Sequence, residues 1–364
     1  MLKRNALRLR DTDWLLLGLA VVISILGIVE IYSTTADTVL AGQVQKQIGW
    51  VLVGALLALG VSRVDYHRVF EQVPWLYAGT VLALAALLVV GPTIAGTRRW
   101  IVVGGQSFQV SEMAKLVIII TVAAYFADRH GKFVTWKDFV KLGALVLVPA
   151  ILVALEPDLG TALTFLPIGA AGFFLAGVRL RHVLVLALLA ALTLPLGWHF
   201  LKPYQRERLV SFVHPSADMQ GASYQATQSK IAIGSGGLWG KGIGRGTQSR
   251  LGFVPVSHAD FIFAAFAEEQ GFVGTLVVLL LYFLLLLRLL DGAQTAGDRA
   301  GAYFLVGLAA VLFFEVVVNI GMMIGIVPVT GIPLPLMSQG GSSVVFTFVS
   351  LGLAMSVRMR RLVN

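Results

Sequence analysis

Apolar residues run along this chain in long blocks rather than alternating. Ten blocks reach or approach a membrane-crossing length: 14–32, 48–62, 74–90, 113–127, 143–155, 161–177, 183–201, 261–290, 302–326 and 343–357. A helix needs about 20 predominantly apolar residues to cross about 30 Å of hydrocarbon, because lipid offers no partner to an open backbone group. The second and fifth blocks are short, so neighbouring helices are expected to bury their ends. The pattern predicts an all-α integral membrane protein of about ten transmembrane helices. The first block is too long for a signal peptide and carries no small-residue cleavage site at its end, so it is expected to stay as a helix.

The polar stretches between blocks are uneven. Most are short, but 58 residues, 202–259, separate the seventh and eighth blocks. Loops of that size are usually functional or disordered. Tyr204, Leu209, Phe212, Tyr224, Ile231, Ile233, Trp239 and Phe253 supply more apolar anchors than a disordered linker would hold. Residues 225–233 are expected to form a short surface helix that the following glycines terminate. No repeat of solenoid period is present. The chain, 1–364, is expected to be a single polytopic membrane domain with 202–259 as its large outer loop.

Composition agrees: the chain is 57% hydrophobic and 13% charged, with mean hydropathy +0.84. That excludes an ordinary soluble enzyme. Lys and Arg in short loops mark the cytoplasmic side. With the N-terminus inside, cytoplasmic segments hold Lys3, Arg4, Arg8 and Arg10, then Arg63 and Arg68, Arg129, Lys132, Lys137 and Lys141, Arg179 and Arg181, Arg288 and Arg299, and last Arg358, Arg360 and Arg361. The short outer loops hold only Lys46, Arg98 and Arg99. Both termini are therefore expected in the cytoplasm. The net charge of +9 is largely this topology signal and not a nucleic-acid footprint. There is no cysteine, and the six histidines have no metal-ligand spacing.

Candidate chemistry lies where polar residues meet the apolar blocks. Asp260 stands where the long polar segment turns into the eighth block, and a charge at a membrane boundary is a functional candidate. Ser257-His-Ala-Asp260 also fits a capping box, with Ser257 as N-cap. Glu112 and Lys115 share a helix face and are expected to form an ion pair, while Glu315 and Asn319 share another and suit interhelical polar contacts. In Glu156-Pro-Asp-Leu-Gly-Thr161, Asp158 suits a turn-capping role. The glycine cluster 234–246 lacks the residues of a Walker loop. It is either a wet turn region or, with Lys241 and Arg245, an anion-binding nest for a phosphorylated lipid. Arg98 and Arg99 run against the charge bias, which suits either bidentate recognition of a pyrophosphate or snorkelling beside Trp100. The proline- and glycine-rich stretch 319–343 is irregular and has to be buried or line a cavity.

Taken together, these pieces resemble the SEDS (shape, elongation, division and sporulation) membrane proteins, and within them the RodA branch rather than FtsW. The resemblance is carried by Arg98-Arg-Trp-Ile101, Gln109-Val-Ser-Glu112 with Lys115, Glu156-Pro-Asp-Leu-Gly-Thr161, Tyr204-Gln with Arg206 and Arg208, Gln228 to Gly237 with Gly240-Lys-Gly242 and Gly246-Thr-Gln248, His258-Ala-Asp-Phe-Ile-Phe263 with Glu268-Glu269, and Gly340-Gly-Ser-Ser343. They occur in family order over most of the chain. Where the family usually has Pro-Glu and then His-Thr-Asp, this chain has Val256 and Ala259, so a role for that carboxylate is unsupported here.

The resemblance implies a peptidoglycan glycosyltransferase of cell-wall elongation and cell shape. It would polymerise lipid II at the outer face of the cytoplasmic membrane and release undecaprenyl pyrophosphate, working with a class B penicillin-binding protein and other membrane proteins of the elongation complex. An α-linked donor giving a β-linked polymer fits one inverting displacement without a covalent intermediate. Asp260 is the implied catalytic residue. Arg98, Arg99, Trp100, Glu112, Lys115, Asp158, Lys241, Arg245, His258, Ser338 and Ser342 are the implied substrate-binding set. The sequence makes no cofactor certain and leaves open a divalent cation, Mg or Mn, with Asp260 as its ligand. The rival classes are a lipid II flippase or transporter and a membrane scaffold for cell-wall enzymes.

Overall fold

The structure is a computed structural model that describes residues 11–361 except 37, 39, 95, 130–133, 180, 186, 187, 189–191, 193–198, 200 and 215–220. Eight helices among the described residues are long and apolar enough to cross a membrane, which makes this a multi-pass membrane protein. They are α1 (Trp14–Thr35), α2 (Gln43–Arg63), α4 (Val73–Val90), α5 (Val110–Ala127), α6 (Trp136–Leu155), α12 (Ile262–Gln294), α13 (Arg299–Ile324) and α14 (Gly341–Met359). Between α2 and α4 lies the short α3 (Tyr66–Glu71). The sixth predicted block is a broken apolar helix, α7 (Leu159–Leu163) followed by α8 (Phe165–Leu175). Most of the predicted 183–201 helix lies outside the described residues, as do Lys3, Arg4, Arg8, Arg10 and Lys132 of the charge pattern.

The second and fifth spans are not short. At 21 and 20 residues they are full length, because α2 begins in the polar Gln43–Gln47 stretch and α6 begins at Trp136 behind a Thr135–Asp138 capping box. Apolar pattern alone undercounts a span whose first turns carry polar residues. A two-stranded antiparallel hairpin, β1 (Trp100–Val103) and β2 (Gln106–Gln109), precedes α5, with Trp100 opposite Gln109.

α14 is the most enclosed of the spans and packs along α2. Their approach needs Gly352, where a Cβ would sit 2.6 Å from the Ala58 carbonyl oxygen. Small residues at such crossings let helix backbones meet where lipid supplies no hydrophobic drive. By contrast, α2 and α4 keep most of their apolar surface exposed, as helices facing hydrocarbon do.

The 202–259 segment is built rather than loose. It holds α9 (Pro203–Val213), α10 (Ala222–Ser235), which contains the expected surface helix, and α11 (Thr247–Arg250). Its glycine-rich part docks into a break in α12. Gly271 adopts φ 66° and ψ −165°, and a Cβ there would lie 2.2 Å from the Gly240 nitrogen. The groups freed by the break are taken up by the loop: Phe272 N donates to Gly237 O (2.9 Å) and Val273 N to Leu238 O (3.1 Å). In return Lys241 N donates to Glu268 O (3.1 Å) and Gly242 N to Glu269 O (2.9 Å). Helix breaks survive in a membrane protein when neighbouring backbone satisfies the open groups in this way.

Candidate active site

Asp260 sits in a turn ahead of α12 and is not part of its cap. The helix starts at Ile262 with Phe261 as N-cap and has no side-chain cap, so the predicted Ser257–Asp260 capping box does not form. The turn closes through Ala259 N donating to Val256 O (3.0 Å), and Val256 adopts φ 49°, where a β-branched residue is strained. Three contacts, one from Asn319 on α13 and two from the irregular 325–340 stretch, fix the turn. Asn319 Nδ2 donates to Asp260 O (3.0 Å), Ser338 Oγ to Ala259 O (2.7 Å), and Gln339 N to His258 O (3.1 Å). Asn319 also donates to Ile332 O (2.7 Å), which ties both strands of the contact to α13. Much of the irregular stretch is buried (Ile332, Leu334, Leu336, Met337) or lines a cavity (Pro328 to Gly331), as the sequence requires, while Ile326 is exposed.

That cavity, about 590 Å³, is within the usual range for ligand sites. It brings together residues far apart in sequence: Arg99, Asp158, Lys202, Arg208 and Asp260, with the Thr330–Gly331 backbone between them. Arg99 Nη1 lies 3.0 Å from Asp158 Oδ2, which also accepts from Gln109 Nε2 (2.6 Å). Asp158 additionally caps α7 by accepting from Thr161 N (3.1 Å), so the turn-capping role and the cavity role coexist in one side chain. Arg208 Nη1 donates to Thr330 O (3.2 Å). A Cβ on Gly331 would lie 3.4 Å from Asp260 Oδ2 and 3.9 Å from Arg208 Nη1, so both groups converge on that glycine. The charged lining is three cations against two carboxylates, a net +1.

Burial pushes the Asp260 carboxyl up to about 6, helped by Asp158, while Arg208 and Arg99 pull it down. At neutral pH it is mostly ionised yet still basic enough to take a proton, the condition for a general base. Two guanidinium groups, Arg208 and Arg99, and one further carboxylate, Asp158, act on it.

The predicted set divides. Arg99 and Asp158 join Asp260 at the cavity, and Trp100 backs Arg99, whose guanidinium carbon is 5.5 Å from the ring centroid. Arg98 does not join: its exposed guanidinium donates to Leu88 O and Val89 O at the end of α4 and to Thr93, the contacts of an interfacial helix-end arginine. Glu112 and Lys115 are away from the cavity, in a buried triad where Lys115 Nζ lies 2.9 Å from Glu112 and 2.5 Å from Glu315. Ser338 and Ser342 are engaged internally, Ser338 with Leu334 N and Ala259 O, and Ser342 with Gln109 N (2.9 Å). The ring of His258 is half-buried and does not line the cavity.

Lys241 and the glycine cluster hold an anion, but it is an internal one. Glu268 accepts from Lys241 Nζ (2.6 Å), Gln248 N (2.9 Å) and Ser249 N (3.0 Å), and Glu269 from Gly244 N (3.2 Å) and Ser33 Oγ (2.5 Å). The donors expected of an anion-binding nest are thus occupied by the protein's own carboxylates. Arg245 is exposed beside this loop, in a separate shallow depression. Sequence reasoning missed Lys202 and Gly331 as cavity lining, and Gln205 and Arg208 entered only as motif letters. No local signal distinguishes them from ordinary loop residues.

Residues 10–362 match the sequence profile of the cell cycle protein family that groups FtsW, RodA and SpoVE. Peptidoglycan glycosyltransferase MrdB of Escherichia coli K12 is 40% identical over 322 residues, covering 88% of this chain and 86% of the relative. A chain from a peptidoglycan synthase complex that coordinates polymerization and crosslinking superposes with a TM-score of 0.83 at 36% identity, covering 97% of this chain and 99% of that one. Rod shape determining protein RodA of Thermus thermophilus superposes with a TM-score of 0.72 at 34% identity, over 96% and 98% of the two chains. The family resemblance read from scattered motifs thus extends over the full fold, and the chain belongs to the FtsW/RodA/SpoVE (SEDS) family.

Proposed function

We propose that the Asp260 cavity is where this protein joins lipid-linked disaccharide units into glycan strands. The chain is a peptidoglycan glycosyltransferase, the activity carried by its named relatives. In the proposed reaction Asp260 accepts the proton of the acceptor sugar hydroxyl as that oxygen attacks the anomeric carbon of lipid II. The bond to the diphosphate breaks in the same displacement with inversion, and undecaprenyl pyrophosphate leaves. Arg99, Arg208 and Lys202 hold the departing diphosphate, whose charge grows in the transition state. The observation that carries this reading is two carboxylates and three cations converging from four separate parts of the chain on a single cavity.

The proposed setting is the bacterial inner membrane, with both termini cytoplasmic, the chain folded as one domain, and the cavity and 202–259 facing outward. The helix ends that lead into the cavity support a common face: the α4 end, the α6 end, the α12 start and the α13 end all meet there. A class B penicillin-binding protein is the proposed crosslinking partner, on the example of the synthase complex that this fold matches.

The test is polymerisation of labelled lipid II by purified protein, alone and with its partner. Asp260→Asn keeps size and the backbone contacts of the turn but cannot take the proton. It should lower turnover about 100- to 10,000-fold while folding normally. Near-normal polymer from the folded Asn protein would remove Asp260 from the chemistry.

A further inference from the structure

Glu156 ends α6 as its C-cap, and it is 1% exposed. Neither carboxyl oxygen has a hydrogen-bond partner. The next two residues, Pro157 and Asp158, line the cavity, while Glu156 itself does not. Two charged groups act on it: Asp158, from its own turn, and Arg99, from the segment ahead of the hairpin. An ionised carboxylate buried without donors is costly, and such a group keeps its proton instead. Burial and the neighbouring Asp158 charge push Glu156 up to about 8, against the pull of Arg99.

Arg99 is the cation that both carboxylates compete for. Paired with Asp158 alone, it leaves the cavity lining at a net +1. An ionised Glu156 would cancel that charge and give Arg99 a second acidic neighbour.

We propose that Glu156, held as the uncharged acid next in the chain to the cavity lining, is a positioning residue for the diphosphate leaving group, because its lack of charge keeps Arg99 available to the substrate. The inference rests on reading the cavity as the lipid diphosphate site. Glu156 touches no reacting atom. It sets how tightly Arg99 is held by the protein, and so acts on substrate binding more than on the chemical step.

The experiment is steady-state polymerisation by the full chain in liposomes, with lipid II as donor, from about pH 6.5 to 9.5, in the wild type and Glu156→Gln. If ionised Glu156 excludes the diphosphate, the wild-type KM should rise about tenfold one pH unit above the Glu156 transition while kcat holds. Glu156→Gln should keep a flat KM across that range. A flat wild-type KM overturns the proposal and needs no variant to observe, as does an alkaline rise that persists in Glu156→Gln.

Melting temperature supplies a second readout that needs no turnover. The unfolded carboxyl ionises near 4.5, whereas the folded one holds its proton to about 8, so wild-type stability falls as pH rises through that window. The glutamine protein lacks this loss. Its melting temperature should therefore gain on the wild type between about pH 5 and 8 and level off above that. A gap that does not change with pH would mean that Glu156 ionises normally, and the proposal fails. Wild-type protein that shows the melting gap but makes no polymer at any pH would instead count against the cavity reading itself.

Discussion

The buried triad Lys115–Glu112–Glu315 gives the sharpest prediction about stability. Lys115 Nζ sits between two carboxylates at 2.9 and 2.5 Å, and the three side chains are 10%, 5% and 4% exposed. α5 contributes Glu112 and Lys115, and α13 contributes Glu315, so the cation joins two spans. Lys115→Met keeps the aliphatic stem and removes the charge. It leaves two carboxylates facing each other with no cation, and removing one partner of a buried pair costs about 3–5 kcal/mol. At about 2 °C per kcal/mol, the low end for a long chain, the melting temperature should fall by roughly 6–10 °C. Lys115→Met with Glu315→Gln removes a charge of each sign and should recover at least about half of that loss. Melting is followed by fluorescence-detected size exclusion, and polymerisation is normalised to folded protein. Because the triad lies away from the cavity, specific activity of the folded fraction should stay within about threefold of the wild type. A melting loss of about 2 °C or less would refute the buried-charge argument. Full folding with abolished turnover would return Lys115 to the substrate-binding set.

Other outcomes follow from the same geometry. Turnover should fall about tenfold per pH unit below about 6, because burial raises Asp260 to that value and only its ionised form accepts the proton; a pH–rate profile checks this, and a flat profile down to about pH 5 removes it. Arg98→Ala should leave activity near the wild type, whereas Arg99→Ala should lose about 10-fold or more, since Arg99 alone of the pair reaches the cavity and charge-assisted bonds to buried groups are worth about 1.5–3 kcal/mol. Equal losses from both would contradict the division seen here. Gly271→Ala should destabilise by about 2 kcal/mol or more, because φ 66° strains any side chain and the new Cβ would meet the Gly240 nitrogen at 2.2 Å; an unchanged melting temperature would argue against the docked loop.

Block length and burial-blind hydropathy were enough to read the membrane class from sequence, because the cost of open backbone groups in lipid leaves helices as the only long apolar element in such a chain. Family motifs, scattered but ordered, carried the enzyme class. Asp260 was legible for a local reason, a carboxylate at a membrane edge, and so was the irregular connection, which the structure narrows from 319–343 to 325–340. What sequence spacing could not settle was which charges share a cavity. Arg98 and Arg99 are adjacent letters, yet one caps the end of α4 and the other reaches Asp158, 59 positions along the chain. Lys241 carries a cation and a glycine nest that any phosphate would suit, but the break at Gly271 brings Glu268 into it first. Ser338 and Ser342 read as substrate hydroxyls until their partners turn out to be backbone groups from distant segments. Local sequence specifies the charge and the donor. Only the packing of α1, α5, α12, α13 and α14 decides whether the partner is another part of the protein or a substrate, since burial makes an internal counter-charge the first one met.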